Sequence, residues 1–258
     1  MKITLITGAT GGLGKELAKL YAQDNNNLLL SGTNESKLSL LKEELSALYP
    51  NITIDVVQSN LTQKEGWEKV VAYAKEKEYA VNNLVNNAGF GDQSDFKDMA
   101  IQKQIDMINV NCSALTFFTN AYLPSMLENN EGRILNVGSI ASFVPGPYMS
   151  TYHATKAYVL SLGEAIAYEI RKSKVRITTL CPGPFDSGFV DRAGNHYTFS
   201  KIKPVPAEKV AKIGYKASKK GKTFVVAGFK NKVTVFLPRF VTRKFAAAVT
   251  GKLGKKNS

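Results

Sequence analysis

Lys2-Ile3-Thr4-Leu5-Ile6-Thr7-Gly8-Ala9-Thr10-Gly11-Gly12-Leu13-Gly14 decides the fold of this chain. The first six residues alternate like a half-buried strand, and glycines follow at once. Gly8 and Gly12 lack the Cβ that would block a tight turn or the close approach of a diphosphate. The helix that opens behind them offers free N–H groups and a partial positive charge to that anion. Glycines between a strand and a helix at the first crossover are the setting of a dinucleotide site, which assigns Gly8, Thr10, Gly12, Leu13 and Gly14 to cofactor binding.

The same rhythm continues outward. Strand-like runs at 2–7, 27–31, 52–57, 81–86, 132–138, 174–180 and near 223–227 alternate with helical patterns. Leu38, Leu41, Leu45 and Leu48 recur at helical spacing behind Asn34, a residue suited to capping a helix. Thr62 and Glu65 predict a capping box ahead of Trp67, Val70, Val71 and Ala74. These patterns predict an α/β fold, a doubly wound Rossmann-type parallel sheet of about seven strands with helices on both faces. Residues 1–210 form the dinucleotide-binding and catalytic domain, with a proline-containing lid loop at about 183–206. A helix is expected from Pro206-Ala207-Glu208, and residues 211–258 complete the same domain as a basic C-terminal part with a last strand and an amphipathic segment.

Composition narrows the classes. Hydrophobic residues are 44% and charged residues 21% of 258, which fits one ordinary folded domain and excludes disorder or a disulfide scaffold. Cys112 and Cys181 form no Cys-x-x-Cys pair, and His153 and His196 have no ligand-like spacing, so no metal site is expected. With no room for a targeting segment before the first strand and no apolar run of roughly 20 residues, the expected location is the cytoplasm. The charge is uneven: −2 over residues 1–200, and +15 over residues 201–258, where Glu208 is the single acid.

Cofactor preference is written at the end of the second strand. An acid there would bind a ribose 2′-hydroxyl and repel a 2′-phosphate. Ser31-Gly32-Thr33-Asn34 offers no acid before Glu35 and no arginine, and Ser31, Thr33, Asn34 and Lys37 can hydrogen-bond a phosphate. NADP(H) is therefore the preferred reading, with NAD(H) as the second.

Tyr152-His153-Ala154-Thr155-Lys156 sets Tyr and Lys four apart, on one face of a helix. Spacing alone is uninformative, because Tyr73, Tyr168, Tyr197 and Tyr215 also have Lys four residues on. Only Tyr152 has a serine 13 residues upstream, Ser139, at the end of the strand Arg133-Ile134-Leu135-Asn136-Val137. In an open parallel sheet, ligands bind beyond the carboxyl ends of the strands.

With this pair in place the chain resembles the short-chain dehydrogenase/reductase family, in its compact single-domain form, over about residues 1–210. The motifs run in the family's order: Thr7–Gly14, Asn60-Leu61, Asn86-Asn87-Ala88-Gly89, Asn111, Ser139, Tyr152 with Lys156, and Pro182-Gly183. The resemblance implies a catalytic tetrad of Asn111, Ser139, Tyr152 and Lys156. It extends the cofactor site to Asn60, Leu61, Asn87, Ala88, Gly89, Tyr152, Lys156, Pro182, Gly183 and Ser187. It also implies NAD(P)-dependent hydride transfer between a nicotinamide and a carbonyl or secondary alcohol, and a homo-dimer or tetramer. Reduction of a carbonyl builds negative charge on oxygen, which Ser139 would polarise and Tyr152 would protonate. A free tyrosine titrates near 10, and Lys156 with the oxidised nicotinamide nearby is expected to lower that value. By the same resemblance Lys156 binds the nicotinamide ribose and Asn111 holds a water that relays protons to it. Asn60 stands where the family usually has Asp to bind the adenine amino group, and can accept the same hydrogen bond.

Phe90, Phe143, Val144, Pro145, Tyr148, Met149, Phe185, Phe189, Tyr197 and Phe199 are candidate walls of an apolar pocket for a hydrophobic ketone or aldehyde, with Arg192 facing a solvated lid or an anionic group. Arg239 to Val249 places Phe240, Val241, Phe245, Ala248 and Val249 on one helical face. Two readings stand for the basic region 230–258: packing on its own domain or a subunit, or peripheral contact with an anionic inner membrane surface. No nucleic-acid partner is expected, since no binding motif accompanies the charge. The alternative function is a non-catalytic NAD(P)-binding regulator or scaffold; an epimerase or dehydratase ranks below it, for want of an extra substrate domain.

Overall fold

A computed structural model describes residues 1–186 and 204–254, so Ser187, Phe189, Arg192, Tyr197 and Phe199 lie outside the described residues. The chain runs β1 (Lys2–Thr7), α1 (Gly12–Gln23), β2 (Leu28–Gly32), α2 (Glu35–Leu48), β3 (Ile54–Gln58), α3 (Lys64–Glu76) and β4 (Ala80–Asn86). It continues through α4 (Ile101–Ile108), a π turn (Asn109–Ser113), α5 (Ala114–Glu128), β5 (Arg133–Val137), a 3-10 turn (Ile140–Phe143), α6 (Ser150–Glu169) and β6 (Arg176–Pro182). The last elements are α7 (Ala207–Lys219), β7 (Phe224–Ala227), α8 (Phe229–Phe236), a second 3-10 turn (Leu237–Phe240) and α9 (Arg243–Gly254).

Seven parallel strands form one sheet in the order β3-β2-β1-β4-β5-β6-β7, the doubly wound arrangement that the sequence predicts. The pleat sorts the side chains. Ile3 and Leu5 of β1 and Leu29 of β2 join the core with Val70, Phe118 and Tyr122. Ile6, Leu28 and Leu30 point the other way, into the core with Leu17, Leu38, Leu45 and Val210. Winding reverses between β1 and β4, which opens a crevice at their carboxyl ends. The glycine turn after β1 and the Asn-Asn-Ala-Gly turn after β4 flank that crevice.

Several local expectations hold. Asn34 caps α2, its Oδ1 accepting from the Lys37 N–H at 2.8 Å, and Leu38, Leu41 and Leu45 are buried. Leu48, the last of that periodic set, is exposed where the helix ends. The capping box at Thr62 and Glu65 is corrected. Gln63 precedes α3 without a side-chain cap, and Thr62 instead donates to the Asn60 Oδ1 from both its N–H (3.1 Å) and its hydroxyl (3.0 Å). A residue two positions from an Asn satisfies it locally before it can cap a helix. The amphipathic run from Arg239 is also divided. Val241 is extended, and Thr242 starts α9 afresh, its Oγ1 accepting from the Phe245 N–H at 3.2 Å. Among the described residues, no helix is long and apolar enough to cross a membrane.

Candidate active site

The crevice widens into a cavity of about 1010 Å³. Gly8, Thr10, Gly12, Leu13, Gly14, Thr33, Asn60, Leu61, Asn87, Ala88, Gly89, Ser139, Tyr152, Lys156, Pro182 and Gly183 all line it. Asn34 does not; its carbonyl oxygen is spent on the α2 cap. Of the described tyrosines with a lysine four residues on, Tyr152 lines the cavity and Tyr73, Tyr168 and Tyr215 do not.

At one end, α1 begins at Gly11 with no side-chain cap, leaving its first-turn N–H groups facing the cavity. Gly8 sits at φ +63°, and a Cβ there would lie 2.9 Å from the Ala88 Cα. One there would therefore close the gap between the two turns. Thr7 and Asn87 fix that gap: Thr7 Oγ1 accepts from the Asn87 and Ala88 N–H groups at 3.1 Å each, and Asn87 Nδ2 donates to the Thr7 and Gly8 carbonyls at 2.9 and 3.0 Å. None of these four bonds has a signal in the sequence. The donor set and the glycine cradle fit a dinucleotide diphosphate. Asn60 fits its expected role less well, because the oxygen meant for the adenine amino group already accepts two bonds from Thr62.

At the other end, Ser139 follows β5 in an extended conformation and caps the 3-10 turn, its Oγ accepting from the Ala141 N–H at 3.1 Å. That bond uses the oxygen as an acceptor, and the hydroxyl also hydrogen-bonds with Tyr152. Tyr152 and Lys156 stand one turn apart on α6, with Lys156 Nζ 5.8 Å from the tyrosine ring centre and donating to the Val137 carbonyl at 2.8 Å. Asn111 lies within the π turn that interrupts α4 and α5, an irregularity without a sequence signal here. Its carboxamide accepts from the Phe90 N–H at 3.1 Å and donates to the Phe90 carbonyl (2.9 Å) and the Thr155 hydroxyl (3.0 Å). A Cβ on Gly89 would lie 3.0 Å from Asn111 Oδ1 and 3.2 Å from Lys156 Nζ, so that glycine lets the turn after β4 press against both.

Burial dominates the electrostatics of the cofactor-free site. It pushes Tyr152 up to about 12, opposed by its hydrogen bond with Ser139. The Lys156 ammonium is turned towards the Val137 carbonyl. Lys156 itself is brought down to about 8 by burial. Burial also lifts Cys112 to about 11 and Cys181 to about 12, which keeps both thiols protonated. His153, packed beside Tyr152 and bonded to the Val144 carbonyl at 2.8 Å, is held below its usual value by burial.

Phe90, Phe143, Val144, Met149 and Phe185 line the cavity as expected, whereas Pro145 and Tyr148 do not. The sequence reading missed one wall entirely. Leu237, Phe240, Val241, Phe245, Val249 and Leu253 from the C-terminal helices face the same space. Their amphipathic spacing was the available signal, but it does not say what the apolar face meets. Among the described residues, no cluster of side chains suits a metal ion.

The sequence matches the family model described as short chain dehydrogenase over residues 2–198. The chain therefore belongs to the short-chain dehydrogenase/reductase family of oxidoreductases. An uncharacterized oxidoreductase of Staphylococcus saprophyticus is 32% identical over 190 residues, covering 72% of this chain and 79% of the relative. A short-chain dehydrogenase from Sphingobium yanoikuyae in complex with NADPH superposes with a TM-score of 0.83 at 23% identity, covering 93% of this chain and 94% of that one. A structure of a 7beta-hydroxysteroid dehydrogenase superposes with a TM-score of 0.85 at 24% identity, covering 96% of each chain. Likeness at this identity establishes the fold.

Proposed function

We propose that this protein is an NADP(H)-preferring reductase of hydrophobic ketones or aldehydes, working in the cytoplasm, with NAD(H) as the weaker cofactor. The observation that carries the reading is the meeting of Ser139, Tyr152 and Lys156 at one end of a cavity whose other end is the uncapped glycine turn. A bound nicotinamide supplies or accepts the hydride. The Ser139 hydroxyl, its oxygen already engaged by the Ala141 N–H, donates to the carbonyl oxygen and orients it. Tyr152, held protonated by burial, gives that oxygen its proton in reduction. The Lys156 ammonium, cationic below about 8, favours the phenolate that remains and that must form for alcohol oxidation. Asn111 ties the Phe90 turn to Thr155 of α6, and so positions Lys156 one residue further along that helix. Apolar walls of Phe90, Phe143, Val144 and Met149 exclude water and suit an apolar substrate body. The NADPH and hydroxysteroid named for the two structural neighbours are consistent with this reading. Exposed Ile101, Ile105 and Ile108 on α4 give a homo-dimer or tetramer an apolar contact face.

Fluorescence titration with NADPH and NADH tests the cofactor half without a substrate. NADPH is expected to bind more tightly by about tenfold, the worth of one added charge-assisted hydrogen bond. Tighter NADH binding reverses the preference, and failure of both to bind at micromolar concentrations overturns the reductase reading.

A further inference from the structure

The proposed reaction leaves the C-terminal charge unexplained, and the structure gives it a neighbour. Nine of the twenty exposed large hydrophobic residues among those described fall within residues 229–253. Phe229, Val233 and Phe236 recur along one face of α8, and Phe245, Val249 and Leu253 along one stripe of α9. Phe229 is 81%, Phe240 72% and Leu253 67% exposed. The same stretch carries Lys230, Lys232, Arg239, Arg243, Lys244 and Lys252 without one acid. Arg239 lies over the Phe236 ring, 5.8 Å from its centre, and Phe236 packs edge-on against Phe240 at 5.2 Å, so cations and aromatics are interleaved.

This face is fastened to the body of the protein. Thr250 Oγ1 donates to the Pro145 carbonyl at 2.7 Å, and Gln93 Nε2 donates to the Gly254 carbonyl at 2.6 Å. Leu237, Phe240, Phe245, Val249 and Leu253 are exposed and also line the active-site cavity, so they ring its mouth.

We propose that α8, the second 3-10 turn and α9 form a docking surface for an anionic lipid bilayer, and that the cavity opens onto that surface to take a membrane-resident amphiphile with a long apolar body. The substrate half rests on the reductase reading; the docking half does not. An acid-free cationic face with protruding aromatics complements acidic headgroups above an apolar layer. A second copy of this chain would set like charges against like. A soluble acidic partner would cover the mouth, whereas a fluid lipid surface delivers substrate through it.

The test is co-sedimentation of the full chain with vesicles of phosphatidylglycerol and phosphatidylcholine in equal parts, against phosphatidylcholine alone. Binding is expected to the acidic vesicles at low ionic strength, with release at about 0.5 M salt. Arg243→Glu with Lys244→Glu, at residues outside the cavity wall, is expected to weaken binding by more than about 30-fold, since the loss of each basic side chain costs about fivefold and the new acids repel the surface as well. Phe229→Ser is expected to weaken it separately, and thermal unfolding checks that both variants fold. Absence of binding to acidic vesicles at low salt, or equal binding by the charge-reversed protein, overturns the docking surface. A dimer that Phe229→Ser dissociates, in a protein indifferent to vesicles, assigns the face to a second copy instead. Given docking and turnover of a soluble ketone, acidic vesicles should lower KM for a long-chain ketone in the wild type and not in the charge-reversed variant. An unchanged KM removes the substrate half alone.

Discussion

Replacing Tyr152 with Phe is expected to lower kcat for carbonyl reduction by about 1,000-fold while leaving the NADPH dissociation constant within about twofold. The substitution removes one hydroxyl and keeps the ring that packs against His153. Ser139 remains to polarise the carbonyl, because the Ala141 N–H still holds its oxygen after the bond to Tyr152 is lost. What is lost is the proton donor. Burial keeps Tyr152 protonated up to about 12, so reduction by the wild type should be nearly flat from pH 6 to about 8 and decline above it as the Lys156 ammonium loses its proton. Oxidation needs the phenolate, whose fraction grows tenfold per pH unit in that range, so its rate should climb with pH. Steady-state kinetics in both directions, beside a fluorescence titration, separates the outcomes. A variant that retains most of its turnover would place the proton donor elsewhere, with His153 the next titratable group on the cavity wall. Lost cofactor binding would make the effect structural.

The strands and the order of the site residues were legible because both are local signals. Alternation in Lys2–Thr7 fixes which residues face each core, and helical spacing of Leu38, Leu41 and Leu45 fixes the buried side of α2. Ser139, Tyr152 and Lys156 converge because a parallel sheet gathers its strand ends on one edge. What escaped depends on competition or on tertiary route. Thr62 had two partners within reach, the start of α3 and the Asn60 side chain, and took the nearer. Composition cannot weigh that choice. It also cannot foresee that Asn111 bridges Phe90 and Thr155, which are far from it in sequence. The fall of Tyr152 towards phenolate is expected from Lys156 together with the oxidised nicotinamide. The enclosure that opposes it in the cofactor-free site is revealed only by the folded chain.

Lys156→Met should reveal what that enclosure costs the fold. Lys156 is 5% exposed, burial is the main cause of its lowered pKa, and no carboxylate offsets it. Its charged form is therefore poorly compensated, with a folded value of about 8 against 10.5 for an ordinary lysine. Below pH 8 both folded and unfolded chains carry the proton, and the penalty is fully present. Between 8 and 10.5 the unfolded chain binds more protons than the folded one, so wild-type stability rises relative to the variant. The 2.5-unit difference corresponds to on the order of 3 kcal/mol. Met also strands the Val137 carbonyl, a cost independent of pH, so the readout is the change in the stability difference across the window. Tyr152 is present in both proteins and cancels. Urea unfolding of the cofactor-free proteins from pH 7 to 10.5 measures it, and a difference that stays constant would remove the buried charge from the account. The variant should also lose most of its turnover, because an ammonium retained at such a cost serves the phenolate beside it more than the fold.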